Sequence, residues 1–457
     1  MKRIYRFLFL CAVCCNPILF TACEDDTDDG GSQELSTEKW IVNFLHKEYL
    51  WNDEAQKQTP DYGSPDRLFY SLLSMKDGKT KADGKHYYYS YIEKKAATKA
   101  IDTESTYGFD FVLYNMTDAA GVYLGYYWAK IVYVLPGSPA DKAGLKRNDW
   151  ITRIDKVQIT ESNYKRLMKG ATVKFTRLTE SIGGNSEKEV EVPASVHIDE
   201  NPLLLDTVLN VGNTKVGYLV YNHFKTGKED NADDHTYDDE MVGIFKNFQD
   251  EEVTEFVLDL RYNGGGYLSS AQLLAGFFIA REDRTSIFCY LEDNRGEKVG
   301  YPFTDKGYHL GLSRIFILVS SQTASASEAI INGLKPYMEV ILIGGTTEGK
   351  NVGSIHEEHG EWAIQPIISR IYNKDKVSGY EDGFTPDEPF ICNELNTGEN
   401  RNLLPLGNQR EYMLAKALAV IKGKSPAAAP ATRSIAPGRE PVYNSVERKQ
   451  CNAVIIR

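Results

Sequence analysis

Short apolar strands alternating with helical patterns over residues 196–423 predict a mixed α/β fold, with two segments of different character before it. Three observations carry this. Within 196–423, Val216 to Phe224, the run from Phe256, Ile315 to Val319 and Val340 to Ile343 read as strands, while Met241 to Phe248 and Gln409 to Ile421 read as helices. Residues 101–195 instead alternate as strands around Pro and Gly turns, the mark of a β-rich domain. Residues 36–100 combine an amphipathic helical pattern (Trp40, Ile41, Phe44, Leu45) with the cluster Tyr87-Tyr88-Tyr89, which reads as packing and is given no chemistry. A chain of 457 residues has room for two or three such domains.

The first residues read as a targeting segment. Lys2, Arg3 and Arg6 precede a mostly apolar Phe7 to Phe20, too short to read as a spanning helix, so residues 1–22 are expected to be a signal peptide. Phe20-Thr21-Ala22-Cys23 resembles a bacterial lipobox with Phe20 in place of the usual leucine, which implies lipidation of Cys23 and a membrane anchor. Residues 23–35, with Glu24 to Asp29 nearly all acidic, read as a tether. They resemble the export signal of some Gram-negative surface lipoproteins. The expected location is therefore the outer membrane of the cell envelope, with the periplasmic and external faces both open. At the other end, Ser425 to Pro430 opens a low-complexity segment, and residues 424–457 are expected to be a flexible tail.

Composition narrows the classes. A net charge of −12 with no basic block argues against a nucleic-acid partner. Of seven cysteines, Cys11, Cys14 and Cys15 fall in the leader and Cys23 at its end. Cys289, Cys392 and Cys451 then allow at most one disulfide and show no metal spacing. There is no His-Glu-x-x-His and no Gly-x-Ser-x-Gly; His356 and His359 lie among Glu357, Glu358 and Glu361, read as an exposed acidic loop. Lys225 to Asp238 reads as a second exposed loop. No metal and no cofactor are expected.

The chemistry is concentrated in three segments. In Thr323-Ala324-Ser325-Ala326-Ser327-Glu328, Ser325-x-x-Glu328 follows a buried strand and is a capping-box signature, placing Ser325 at the positive end of a helix. Lys350, in Glu348-Gly349-Lys350, follows 25 positions later, after a second apolar run and Gly344-Gly345. The third segment is a strand end, Leu258 to Tyr262, running into Asn263-Gly264-Gly265-Gly266, where consecutive glycines allow N–H groups to converge on an anion. An ammonium with its ordinary pKa of about 10.4 cannot accept a proton near neutrality, but burial favours the neutral amine. A neutral Lys350 could then take the Ser325 proton and return it to a leaving amine, with the N–H groups of Gly265 and Ala326 holding the oxyanion.

These segments resemble those of the C-terminal processing peptidases, or tail-specific proteases. Ser325-Ala326-Ser327-Glu328 matches the family's nucleophile motif, Lys350 its lysine at the same interval, and Asp259 to Gly266 its Asp-Leu-Arg-x-Asn-x-Gly-Gly strand end. Gly383-Phe384-Thr385-Pro386-Asp387 echoes the segment that follows the lysine. The resemblance spans roughly residues 35–423. It implies a Ser-Lys endopeptidase with a ClpP/crotonase-like core over 196–423, an N-terminal helical domain over 36–100, and an inserted PDZ-like domain over 101–195. Polypeptides with accessible C-termini are the implied substrates. Departures occur at Pro336, where some members carry aspartate, and at Ser354, where others carry a glutamine that orients the lysine. Ser354 is the first candidate for that third role, with Ser327 as a structural helper.

Tyr107-Gly108-Phe109, before a strand, matches the carboxylate-binding loop of a PDZ domain, in which a peptide adds to a sheet edge. Two other readings stay open: an inactive PDZ scaffold, and a hydrolase of small esters or amides that shares the dyad.

Overall fold

The computed structural model describes residues 35–81, 84–95, 105–118, 120–179, 186–228, 233–396, 402–425, 440–449 and 454–456. The expectations for the leader, Cys23, the acidic tether and Cys451 fall outside these residues. From Thr37 onward the chain forms one compact unit.

The N-terminal segment holds helix α1 (Thr37–Glu48), helix α2 (Pro65–Ser71) and strand β1 (Tyr91–Lys94). Ile41 and Leu45, one turn apart, and Leu68-Phe69 bury their apolar faces together with Val352, Ile364 and Ile367 from far along the chain. The expected helices are present, and the segment's last strand, β1, pairs with a strand of the central domain, as described below.

Next come β2 (Phe109–Thr117), β3 (Tyr123–Val134), β4 (Trp150–Ile154), β5 (Val173–Thr179) and β6 (Ser186–Val192), an antiparallel sheet in the order β6-β5-β4-β3-β2. Phe109, Phe111, Ile131, Ile151 and Phe175 fill its core. The short helix Pro139–Lys142 is capped by Ser138, whose Oγ accepts the Asp141 N–H at 3.1 Å.

The central domain carries β7 (Leu203–Val211), β8 (Thr214–Tyr221), helix α3 (Thr236–Asp250), β9 (Glu255–Asp259) and helix α4 (Leu268–Phe278). It continues with β10 (Ile287–Glu292), β11 (Lys298–Pro302), β12 (Arg314–Val319), helix α5 (Ala326–Leu334) and β13 (Glu339–Gly344). Then follow β14 (Val352–Ser354), β15 (Glu357–His359), β16 (Trp362–Gln365), β17 (Ile367–Tyr372) and helix α6 (Tyr412–Ile421). The main sheet has the order β7-β8-β9-β12-β13, parallel from β8 onward. Its inner strands are largely apolar because both faces are covered. Phe256, Leu258, Ile315 and Ile317 face the side of α3, α4 and α5, while Val257, Phe316 and Leu318 face α6.

Two further sheets flank it, in the orders β11-β10-β17-β14 and β15-β16-β1. The acidic segment around His356 and His359 is therefore a β-hairpin, with His359 stacked on Trp40 at 5.2 Å, and not an irregular loop. Asp238, expected on a loop, lies buried within α3, where its Oδ1 accepts the Ser270 hydroxyl at 2.8 Å. Cys289 and Cys392 are buried free thiols.

The tail expectation is also corrected. Strand β18 (Tyr443–Asn444) pairs with β2, and β19 (Val454–Ile455) pairs with β14. Val442-Tyr443 and Val454-Ile455-Ile456 are apolar enough to join sheet edges despite the low-complexity stretch before them.

The β-rich domain is fastened to the central domain by a buried ionic network. Arg261 makes a bidentate pair with Asp259 (2.9 Å twice) and reaches Glu394 Oε2 at 2.6 Å and Glu411 at 2.9 and 3.0 Å. Arg147 reaches the same Glu394 oxygen at 2.6 Å. Burial alone would raise the Glu394 carboxyl, but Arg147 and Arg261 outweigh it and hold it down at about 2. Its contribution is present above the ordinary value of 4.5 and is lost as pH falls through about 2. Glu394→Gln leaves the guanidinium groups partly uncompensated and is expected to cost about 3–5 kcal/mol at neutral pH. Urea titrations at pH 7 and pH 3 check this; the gap between wild type and variant narrows at the lower pH.

Candidate active site

Three adjacent parallel strands, β9, β12 and β13, deliver the three sequence-predicted segments at their carboxyl ends. That is the end of an α/β sheet where ligands bind. β9 runs into the glycine loop, β12 into the turn that carries Ser325, and β13 into the loop that carries Lys350.

Ser325 is the residue before α5, with φ 61° and ψ −115°. Positive φ at a non-glycine residue costs about 1–3 kcal/mol and persists where its surroundings over-determine it. They do so here. The Ala324 N–H and the Ser327 hydroxyl both donate to the Asn263 carbonyl, at 3.2 and 3.1 Å, and the Ser325 N–H donates to Glu328 Oε2 at 2.9 Å. Ser327 thus has the structural role expected of it. The predicted capping box is present in outline: Glu328 reaches back to the Ser325 amide, and the serine side chain faces the Glu328 N–H without closing a full hydrogen bond. Fully buried, the Ser325 Oγ has no hydrogen-bond partner among the described residues. A buried polar atom left so calls for an explanation, and a reactive role is one.

Glu328 does more than cap. Its buried carboxylate accepts the Ser325 and Lys350 N–H groups on Oε2 (2.9 and 2.7 Å), and the Thr347 hydroxyl and Gly349 N–H on Oε1 (2.6 Å each). The serine turn and the lysine loop are therefore sewn to one carboxyl group. Burial pushes that carboxyl above its ordinary range, against the pull of the Thr347 hydroxyl and the three amides. In the sequence only the helix-capping pattern of Glu328 was visible.

Lys350 is buried, and its Nζ lies 5.0 Å from the centre of the Tyr89 ring. Tyr89 is thus a site residue that sequence reasoning assigned to packing; only its place in an aromatic cluster could have flagged it. Gly349 has φ 93°, and a Cβ there would come within 2.2 Å of the Glu381 carbonyl oxygen, so the lysine's approach requires glycine.

Gly265 (φ 108°) lies directly against the Ser325 turn: a Cβ on it would sit 2.6 Å from Ser325 Cβ and 2.9 Å from its Oγ. Its N–H, however, donates to Asn263 Oδ1 at 2.9 Å. The donor expected from Gly265 is committed within its own turn, because the Asn263 side chain folds back over it. The Ala326 N–H opens the first turn of α5, where a helix has donors without intrahelical acceptors.

Ser354 is buried on β14. Its hydroxyl accepts Gln365 Nε2 at 2.9 Å and faces the Val454 carbonyl at 3.4 Å. Gln365, from β16, thus lies beside Ser354, and its Oε1 accepts the Tyr91 hydroxyl at 2.7 Å. No local pattern could reveal this pairing across the sheets.

Comparison with known proteins bears on the same segments. Residues 215–390 match Peptidase family S41, residues 36–91 the Peptidase S41 N-terminal domain, and residues 130–179 the PDZ domain. The chain belongs to peptidase family S41. It is 28% identical over 278 residues to a carboxyl-terminal-processing protease of Picosynechococcus, covering 57% of this chain and 61% of that one. It is 26% identical over 274 residues to the carboxy-terminal processing protease CtpB of Bacillus subtilis, covering 58% and 51%. The chain thus spans about half to three-fifths of the length of these relatives. A solved Bacteroides fragilis structure assigned to the S41 proteases superposes with a TM-score of 0.72 at 29% identity, covering 88% of this chain and 99% of that one.

In this S41 chain the PDZ domain presents its loop differently from the expectation. Gly108 has its N–H turned to Thr106 Oγ1 at 3.0 Å, and the Tyr107 N–H donates to the Met168 carbonyl at 3.1 Å. Tyr107 and Phe109 are buried in the domain core. The Tyr107 and Gly108 amides, expected to help capture a carboxylate, are used internally.

Proposed function

We propose that this chain is a serine endopeptidase that cleaves unfolded or flexible polypeptides near their C-termini, with Ser325 as nucleophile and Lys350 as general base. One observation carries the reading: a fully buried serine hydroxyl without a partner among the described residues, on a strained turn, fixed by the same Glu328 carboxylate that fixes the Lys350 backbone.

Ser325 Oγ attacks the scissile carbonyl carbon as its proton passes to Lys350 Nζ. The carbonyl π electrons move to oxygen, and the oxyanion forms at the N-terminus of α5, with the Ala326 N–H as first donor. Gly265 joins when its amide leaves Asn263. Collapse expels the amine, which takes its proton from Lys350, and leaves an ester on Ser325; water then repeats the cycle to release the acid. Burial of Lys350 favours the neutral amine that this needs, while the Tyr89 ring face beside its Nζ favours the ammonium. Ser354, backed by Gln365, is a positioning group on the strand that follows the lysine.

The chain acts from the cell envelope, with Cys23 as lipid anchor. Steady-state hydrolysis of reduced, carboxymethylated casein and of a short chromogenic ester tests the substrate class. The expected result is casein fragments and a far lower kcat/KM for the ester. Ester turnover alone would indicate a small-molecule hydrolase, and turnover of neither a binding scaffold.

A further inference from the structure

Residues 440–449 and 454–456 occupy two peptide-accepting edges of their own chain. At the PDZ domain, Tyr443 and Asn444 pair antiparallel with Leu113 and Val112 of β2, and the Val442 N–H donates to the Leu113 carbonyl at 2.8 Å. Ser445 closes the contact: its Oγ accepts the Phe111 N–H at 2.8 Å and donates to Asp110 at 2.6 Å. The strand runs toward Tyr107-Gly108-Phe109, the direction in which a peptide adds to such an edge.

At the catalytic end, β19 lies between β14 and the glycine loop. Val454 and Ile455 pair with Gly353 and Ser354, the Ile455 N–H donates to the Gly266 carbonyl, and the Ile456 N–H donates to the Ser354 carbonyl, the last two at 3.0 Å. Gly266 adjoins Gly265, which abuts Ser325, and β14 begins two residues after Lys350. Val454 is fully buried in the main core. An extended polypeptide reaching a buried Ser325 would need these same backbone groups.

We propose that residues 440–449 and 454–456 are a tethered occupant of the peptide-accepting edges that restrains turnover, and that free ligands enter as extended strands with β-branched aliphatic residues at the Val454 and Ile455 positions. The restraint on turnover rests on the protease reading; occupancy of the groove does not. A short tether gives an effective concentration of about 1 mM, so an intrinsic affinity of about 100 µM leaves roughly nine-tenths of grooves filled.

Ile455→Pro in the full chain removes the N–H given to Gly266, and Val454→Asp loses the buried side chain instead. A fluorescein-labelled peptide of residues 440–457 is then titrated by anisotropy, and Ser325 labelling by a fluorophosphonate is timed. Both variants are expected to bind the peptide about tenfold more tightly than wild type and to label about tenfold faster. Equal peptide affinity and equal labelling rates in wild type and variants with matching melting curves overturn the proposal and leave the protease reading intact. A peptide difference with no labelling in any chain does the reverse: the groove assignment stands and the protease reading falls.

Discussion

Ser325→Ala, Lys350→Met and the double variant are each expected to lower casein turnover by about four to six orders of magnitude, the double by no more than the larger single effect, as residues that act as one unit do. On the proposed mechanism the hydroxyl and the amine are consecutive stations of one proton, so removing either is expected to stop the attack. Met is chosen at position 350 because it keeps the buried stem against Tyr89 while deleting the amine. The folded state is then retained, and melting curves should shift little. An amine base works only when unprotonated, so wild-type turnover should rise with pH. Residual activity in Lys350→Met should not follow that rise. Additive losses in the double variant would indicate two independent contributions and argue against proton transfer between the pair.

Glu328→Gln is the second large effect. Each Glu328 oxygen accepts two donors, and a glutamine keeps one acceptor while turning an NH₂ toward two others. Two buried donors lose their acceptor, at about 1–3 kcal/mol each. Those donors belong either to Ser325 and Lys350 or to Thr347 and Gly349, and both pairings fix the lysine loop. Where the variant is still folded, a displacement of about 1 Å between reacting groups costs on the order of 100-fold in rate. The expected signature is a fall in kcat with KM little changed, together with a lower urea midpoint. A variant of reduced stability but normal kcat would make Glu328 a cap alone.

The main sheet was legible in the sequence because each of its inner strands is buried on both faces, so Phe256 to Leu258 and Ile315 to Val319 had to be continuously apolar. Ser325 was legible for a local reason as well: a helix start has to be written within a few residues. The network around Arg261 was not, since its partners Glu394 and Glu411 lie 133 and 150 positions away. Gln365 beside Ser354 joins strands of two different sheets, and Tyr89 over Lys350 joins segments far apart in the chain; no periodicity encodes either. The tail misled by composition. Its proline- and alanine-rich opening hid Val442 to Val446 and Val454 to Ile456, whose order comes from edges supplied by other domains.

The most direct test of the account is fluorophosphonate labelling at neutral pH, mapped by mass spectrometry on wild type, Ser325→Ala and Lys350→Met. The account predicts a single phosphonyl adduct on the peptide containing Ser325, absent in Ser325→Ala and strongly slowed in Lys350→Met. An adduct on another residue, or labelling of Ser325 at an unchanged rate without the lysine amine, would contradict it.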